Sequence, residues 1–183
     1  MKTNYLEIFL YLFYRLGLKS FKPFKNILRA KKNIKDYYKR ILQNIPKEML
    51  GNPIFVNDTD YTQNKATLFE YDFNKLNYKD AINYLDLYFE LCVTLWKYGY
   101  HDNVYNFTSN SGLDKSNKIV MIDFNELDSD LESIKSDFKL KRWEHKYNYL
   151  CLENKQKEYF NQKVGLIFTV ENLEKNWKIN LIN

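Results

Sequence analysis

Glycine is scarce in this chain of 183 residues. The five present, Gly17, Gly51, Gly99, Gly112 and Gly165, are scattered, so no glycine-rich loop offers its backbone amides to a phosphate. Cysteine is scarcer still. Cys92 and Cys151 both fall inside helix-like apolar patterns, where small buried thiols are expected; two such residues exclude a disulfide framework or a cysteine-based metal site and point to a reducing compartment. Long apolar runs are missing as well. The stretch Tyr5 to Leu18 is broken by Glu7 and Arg15, is too short to span a bilayer and has no small-residue cleavage site, so neither a transmembrane helix nor a signal peptide is expected. There is no internal repeat and no low-complexity linker.

Apolar residues are plentiful at 45%, which fits a folded chain. The 17% of aromatics, with abundant Asn and Lys, matches the bias of an AT-rich genome, so single Tyr, Asn or Lys residues carry little weight. The net charge of +5 conceals an asymmetry: residues 1–50 hold 12 basic side chains against 3 acidic, residues 51–183 hold 16 against 20. The basic character therefore belongs to the N-terminal segment, where it serves either a solvated helix face or an anionic partner such as lipid, nucleic acid or an acidic protein.

Residues 4–16 place Tyr5, Ile8, Phe9, Leu12, Phe13 and Leu16 at three- and four-residue spacing, an amphipathic helix ended by Gly17. It docks on the body of the protein or lies on a membrane surface beside Lys19, Lys22 and Lys25. Residues 24–45 predict a second basic helical stretch, or two shorter ones, stopped before Pro46. Gly51-Asn52-Pro53 marks a boundary between a basic helical segment, 1–50, and a domain, 51–183. Beyond it, Ile54 to Val56 and Ala66 to Tyr71 suggest a hairpin or a pair of strands.

Lys79 to Trp96 is the strongest helix. Asn77 is its N-cap, Ile82, Leu85, Phe89, Cys92, Val93 and Trp96 form its apolar face, and Gly99 fits its C-terminal end. A polar loop follows, then strands Phe107 to Ser109 and Lys118 to Phe124 around a turn at Asn110-Ser111-Gly112, with the loop lengthened by Leu113 to Asn117. Leu131 to Leu140, Trp143 to Phe160 and Glu171 to Trp177 read as helices, the last capped by Thr169. Trp96, Trp143 and Trp177 lie on apolar faces and are expected in the core. The fold class is α+β, mostly helical.

The loop and hairpin gather His101, Asp102, Asn103, Asn106 and Asp123. A hard cation such as Mg²⁺ takes oxygen ligands and keeps several waters, so a carboxamide and a carboxylate, Asn106 and Asp123, form a sufficient metal-ligand pair once phosphate oxygens join them. Asp102 is placed to accept or orient a hydroxyl proton as the catalytic residue. Each also has an ordinary structural reading: Asp123 closing a turn, Asp102 capping the loop, His101 bonding within it, and Glu126 pairing with a basic side chain.

Gly99-Tyr100-His101-Asp102, Asn106-Phe107 and Ile122-Asp123-Phe124-Asn125-Glu126 resemble the catalytic half of the protein kinase-like superfamily. That family orders a helix, a catalytic loop with aspartate and then asparagine, a β-hairpin and Asp-Phe-Gly. The likeness spans roughly residues 51–177 and is similar to small bacterial kinase-like proteins of the YrbL or lipopolysaccharide-core-kinase type. It implies a kinase-like C-terminal lobe, a hinge-like strand at Ala66 to Asp72, and basic N-terminal helices in place of a full N-terminal lobe. It also implies Mg²⁺ and ATP as cofactors, with Lys65, Phe69 and Tyr71 near the nucleotide. The chain departs from the pattern in three ways: only three residues separate Asp102 from Asn106, Asn125 replaces the glycine after Asp-Phe, and no strand lysine stands in residues 1–50.

Three functions follow as expectations. The first is a cytoplasmic phosphotransferase for a small molecule or surface-glycan sugar. The second is a pseudokinase that keeps the fold as a binding module. The third is a basic-helix adaptor whose residues 1–50 bind the anionic inner face of a membrane or nucleic acid; few aromatics among its lysines argue against base stacking on the latter.

Overall fold

The structure, a computed structural model, describes residues 35–57, 60–69 and 73–178. The expectations for residues 4–16, the first part of the 24–45 helix, and Tyr71 lie outside them. Two compact units are present: Met1–Gln43 with Pro53–Thr62, and Asn44–Asn52 with Gln63–Asn183.

In the first unit, helical residues 35–43 carry the buried Tyr38 and Ile41. Strand β1 (Ile54–Phe55) pairs antiparallel with β2 (Tyr61–Thr62). Phe55 and Tyr61 set their rings 5.4 and 5.7 Å from that of Tyr38, so three aromatics form a small core. This corrects the expected pairing of Ile54–Val56 with Ala66–Tyr71, because the nearer Tyr61–Thr62 supplies both the backbone partner and the aromatic ring.

The second unit is built on helix α1 (Tyr78–Trp96). Asn77 caps it as expected, its side-chain oxygen accepting from the Asp80 backbone N–H at 3.0 Å. Gly99 takes a φ of +77°, which a residue without Cβ adopts at little cost. One α1 face buries Ala81, Leu85, Tyr88, Phe89, Cys92 and Trp96. Against them lie Phe107, Phe138, Phe160 and Phe168, with the Phe138 and Phe168 rings stacked at 5.1 Å. Such rings bury large apolar areas and dominate core energetics.

Strand β3 (His101–Asp102) follows α1 and pairs antiparallel with β6 (Leu127–Asp128), while β4 (Ser111–Leu113) pairs with β5 (Ile119–Met121). The hairpin is therefore shifted from the expected Phe107–Ser109 strand. Its turn lies at Asp114, whose Oδ1 accepts from the Ser116 and Lys118 backbones, with Asn117 at a φ of +59°. An aspartate bonding its own turn outcompetes the Asn-Ser-Gly signal. Ala66 to Phe69 joins the same sheet edge: Thr67 exchanges backbone hydrogen bonds of 2.8 and 3.0 Å with Leu113.

Among the described residues of the unit, four further α-helices follow: α2 (Leu131–Lys139), α3 (Tyr147–Cys151), α4 (Asn154–Ile167) and α5 (Val170–Asn176). Thr169 caps α5 as expected. The single helix expected over Trp143–Phe160 is instead a 3₁₀ turn, Arg142–His145, then α3 and α4. Lys146, Leu152 and Glu153 are extended, Leu152 enters the core, and Glu153 opens α4 with a capping box to Gln156. The break also corrects the expectation for Cys151, which is exposed; Cys92 is buried as expected. Trp96 and Trp143 are buried, and the partly buried Trp177 packs against the core. The architecture is α+β and mostly helical, with small antiparallel sheets.

Candidate functional site

Residues 101–110 carry most of the candidate groups, and the core holds the first two tightly. His101 is fully buried; Trp96 Nε1 donates to its Nδ1 at 3.0 Å, and its Nε2 stands 3.1 Å from the Tyr105 hydroxyl. An accepting Nδ1 puts the proton on Nε2, which donates to Tyr105. Burial holds this imidazole down at about 3, so it stays neutral.

Asp102 is 1% exposed. The Tyr88 hydroxyl donates to its Oδ2 at 2.8 Å, and the Val104 and Tyr105 backbone N–H groups donate to Oδ1 at 3.1 and 3.2 Å. Burial pushes its carboxyl up to about 6 against the opposing pull of these bonds. Asp102 thus closes a turn from the inside. Tyr105 sits at a φ of +55°, unusual for a bulky side chain, while its ring is buried and its N–H is held by Asp102.

Beyond this turn the polar groups converge on Asn110, a buried residue for which the sequence offered no catalytic signal. The Asn106 Nδ2 donates to Asn110 Oδ1 at 3.3 Å, and Asn110 Nδ2 donates to Glu126 Oε2 at 2.6 Å. The Asn110 carbonyl accepts the backbone N–H groups of Ile122, at 2.7 Å, and Asp123, at 3.2 Å. Glu126 therefore bonds a carboxamide rather than the basic partner expected. Asn148 on α3 donates to Asn106 Oδ1 and accepts from the Thr108 hydroxyl. Asn148 was missed because its connection spans more than 40 positions of chain.

The half-buried Asn106 and Asp123 are thus both tied to Asn110, one through its side chain and the other through its backbone. Three positions before Asn106 in the chain, Asn103 Nδ2 donates to Asp128 Oδ2 at 3.2 Å, leaving its buried Oδ1 without a hydrogen-bond partner among the described residues. A carboxylate, a carboxamide oxygen with a second lone pair and this spare amide oxygen are the donor type a hard cation takes, so the residues fit Mg²⁺ in kind. No group of three His, Cys, Asp or Glu able to hold a metal ion occurs among the described residues.

The expected nucleotide contacts are not gathered into one place by described residues. Lys65 is exposed. Phe69 faces inward, its ring 4.7 Å from that of Tyr84, and its N–H donates to the Thr108 carbonyl at 3.1 Å. A separate groove between α1 and α4 is lined by Asp86, Phe89, Val93 and Lys163 and by none of the candidate residues. Among the described residues no helix is long and apolar enough to cross a membrane.

Comparison of the chain with protein-family models, with curated proteins and with solved structures finds no match.

Proposed function

We propose that this chain is a kinase-like protein, with a C-terminal-lobe type of fold, in which Asn106 and Asp123 hold the Mg²⁺ of a bound ATP. The observation that carries the reading is the convergence on Asn110, which bonds the Asn106 side chain and the Asp123 backbone at once. The order of elements supports it: α1, a loop with Asp102 and Asn106, the β4–β5 hairpin, then Asp123-Phe124. When bound, Mg²⁺ would neutralise phosphate charge, the main requirement of phosphoryl transfer. The acceptor class is a small molecule or a surface-glycan sugar, met in the cytoplasm or at the inner face of the membrane. Titration calorimetry with Mg-ATP is expected to show binding that Asp123→Ala weakens at least tenfold. Equal affinity in the variant overturns the reading.

One observation favours a second reading, a module that binds nucleotide without transferring phosphate. Asp102, the candidate base, is buried with both oxygens engaged by Tyr88, Val104 and Tyr105. A base must come within hydrogen-bond reach of the proton it removes. Phosphate transfer that disappears in Asp102→Asn while Mg-ATP binding persists would decide for the enzyme.

A further inference from the structure

Four hydrogen bonds in series run through the candidate site. Thr108 Oγ1 donates to Asn148 Oδ1, Asn148 Nδ2 to Asn106 Oδ1, Asn106 Nδ2 to Asn110 Oδ1, and Asn110 Nδ2 to Glu126 Oε2. Thr108, Asn148 and Asn110 are buried, Asn106 is half-buried and Glu126 is exposed.

A carboxamide has one donating and one accepting end, whereas an ionised carboxylate only accepts. Glu126 therefore dictates the direction of the whole series. It requires the NH₂ of Asn110, which turns the Asn110 oxygen toward Asn106. Asn106 must answer with its own NH₂, and its oxygen then faces Asn148. The Thr108 hydroxyl, able to donate or accept, closes the series in either sense.

We infer that Glu126 and Asn148 are positioning residues: through three aligned carboxamides they keep the oxygen of Asn106, and not its NH₂, available for a cation shared with Asp123. This rests on the proposed Mg²⁺ reading and adds to it the device that orients the ligand. Asn148 occupies one lone pair of the Asn106 oxygen, leaving the second for the ion. An inverted carboxamide would aim N–H groups at the cation and repel it.

The test uses the full chain and separates the relay from the metal. In ¹H–¹⁵N spectra of the side-chain amides, the NH₂ groups of Asn106, Asn110 and Asn148 are expected to exchange with water at least tenfold more slowly than those of exposed asparagines. Glu126→Gln can still accept and should preserve the pattern. Glu126→Lys can only donate, and Glu126→Leu does neither; both should shift the resonances of Asn148, the third carboxamide from position 126. Because Glu126 is exposed, these variants should remain folded. Asn148 resonances that stay unchanged in both overturn the inference.

The second arm is Mn²⁺ titration followed by electron paramagnetic resonance. Affinity should be kept within about threefold in Glu126→Gln and fall at least tenfold in Asn148→Leu, which changes no charge. Unchanged affinity in Asn148→Leu overturns the orienting role. Absence of Mn²⁺ binding in the native chain counts against the Mg²⁺ reading itself, and the amide spectra then judge the relay on its own.

Discussion

Asp102 and His101, adjacent on β3, give opposite pH dependences to stability. The Asp102 carboxyl, pushed up to about 6 chiefly by burial, is compared with an unfolded aspartate at about 3.9. Its raised value favours the protonated folded state, so the stability it contributes is full below about pH 4 and lost as pH rises to about 6. That difference corresponds to about 3 kcal/mol. His101, held near 3 by burial, compares with about 6.5 when unfolded, so its contribution is full above that value and lost as pH falls. Between about pH 4 and 6 the two slopes oppose each other. Asp102→Asn, which imitates the protonated acid, is expected to raise stability at pH 7 by up to about 3 kcal/mol and to leave the His101 slope exposed. Urea unfolding at pH 4, 5, 6 and 7 checks this; an Asp102→Asn curve parallel to that of the native chain would show that the carboxyl does not titrate in this range. Neither burial was legible from the residues themselves. Their types announced polar chemistry, but Trp96, Tyr88 and Tyr105 had to fold around them before that chemistry turned inward.

Among the elements, local signals succeeded where they acted alone. Helix α1 combined apolar periodicity with a side-chain cap, both contained in one stretch of chain, and its Asn77 cap formed as expected. Asn77→Ala should cost about 1 kcal/mol, read from urea unfolding. The β4–β5 hairpin formed with its second strand inside Lys118 to Phe124 and its turn inside the expected Leu113 to Asn117 loop, but its first strand shifted to Ser111–Leu113 because Asp114 made the better-bonded turn. The edge added by Ala66 to Phe69 depends on Gly112: a Cβ there would lie 2.7 Å from the Thr67 carbonyl oxygen and 2.9 Å from a Leu68 methyl. Gly112→Ala is expected to destabilise by about 1–3 kcal/mol through overpacking. Gly165→Ala in α4, whose Cβ would meet nothing within 4 Å, is expected to stabilise by roughly 0.4–1 kcal/mol. Thermal unfolding of the pair checks the sign at each position, and a neutral Gly112→Ala would show that the 66–69 strip moves freely off the sheet.

For the whole molecule, ligand binding is the property that separates the proposals. A ligand that binds only the folded chain stabilises it by mass action, about 2.7 kcal/mol at a hundredfold excess over its dissociation constant. Mg-ATP is therefore expected to raise the unfolding temperature of the native chain and not that of Asp123→Ala, as thermal shift with and without nucleotide would record. A shift of equal size in both would place any nucleotide elsewhere. The loop-and-hairpin stretch drew attention in the sequence because polar residues crowd there between apolar elements. Its hub, Asn110, was hidden inside an apparent turn, and Asn148 lay in what read as continuous helix, so the connections that bind the site together were invisible in one dimension.

The sequence by itself determined the α+β character, the capped central helix, the aromatic supply of the core and the neighbourhood of the polar groups, because each follows from periodicity, capping or composition within a short stretch. Only the tertiary structure decided which of those groups face inward, which strand pairs with which, and that Asn148 meets Asn106. Hydrogen bonds and burial across distant segments depend on how the aromatic core closes, and no local pattern encodes that closure.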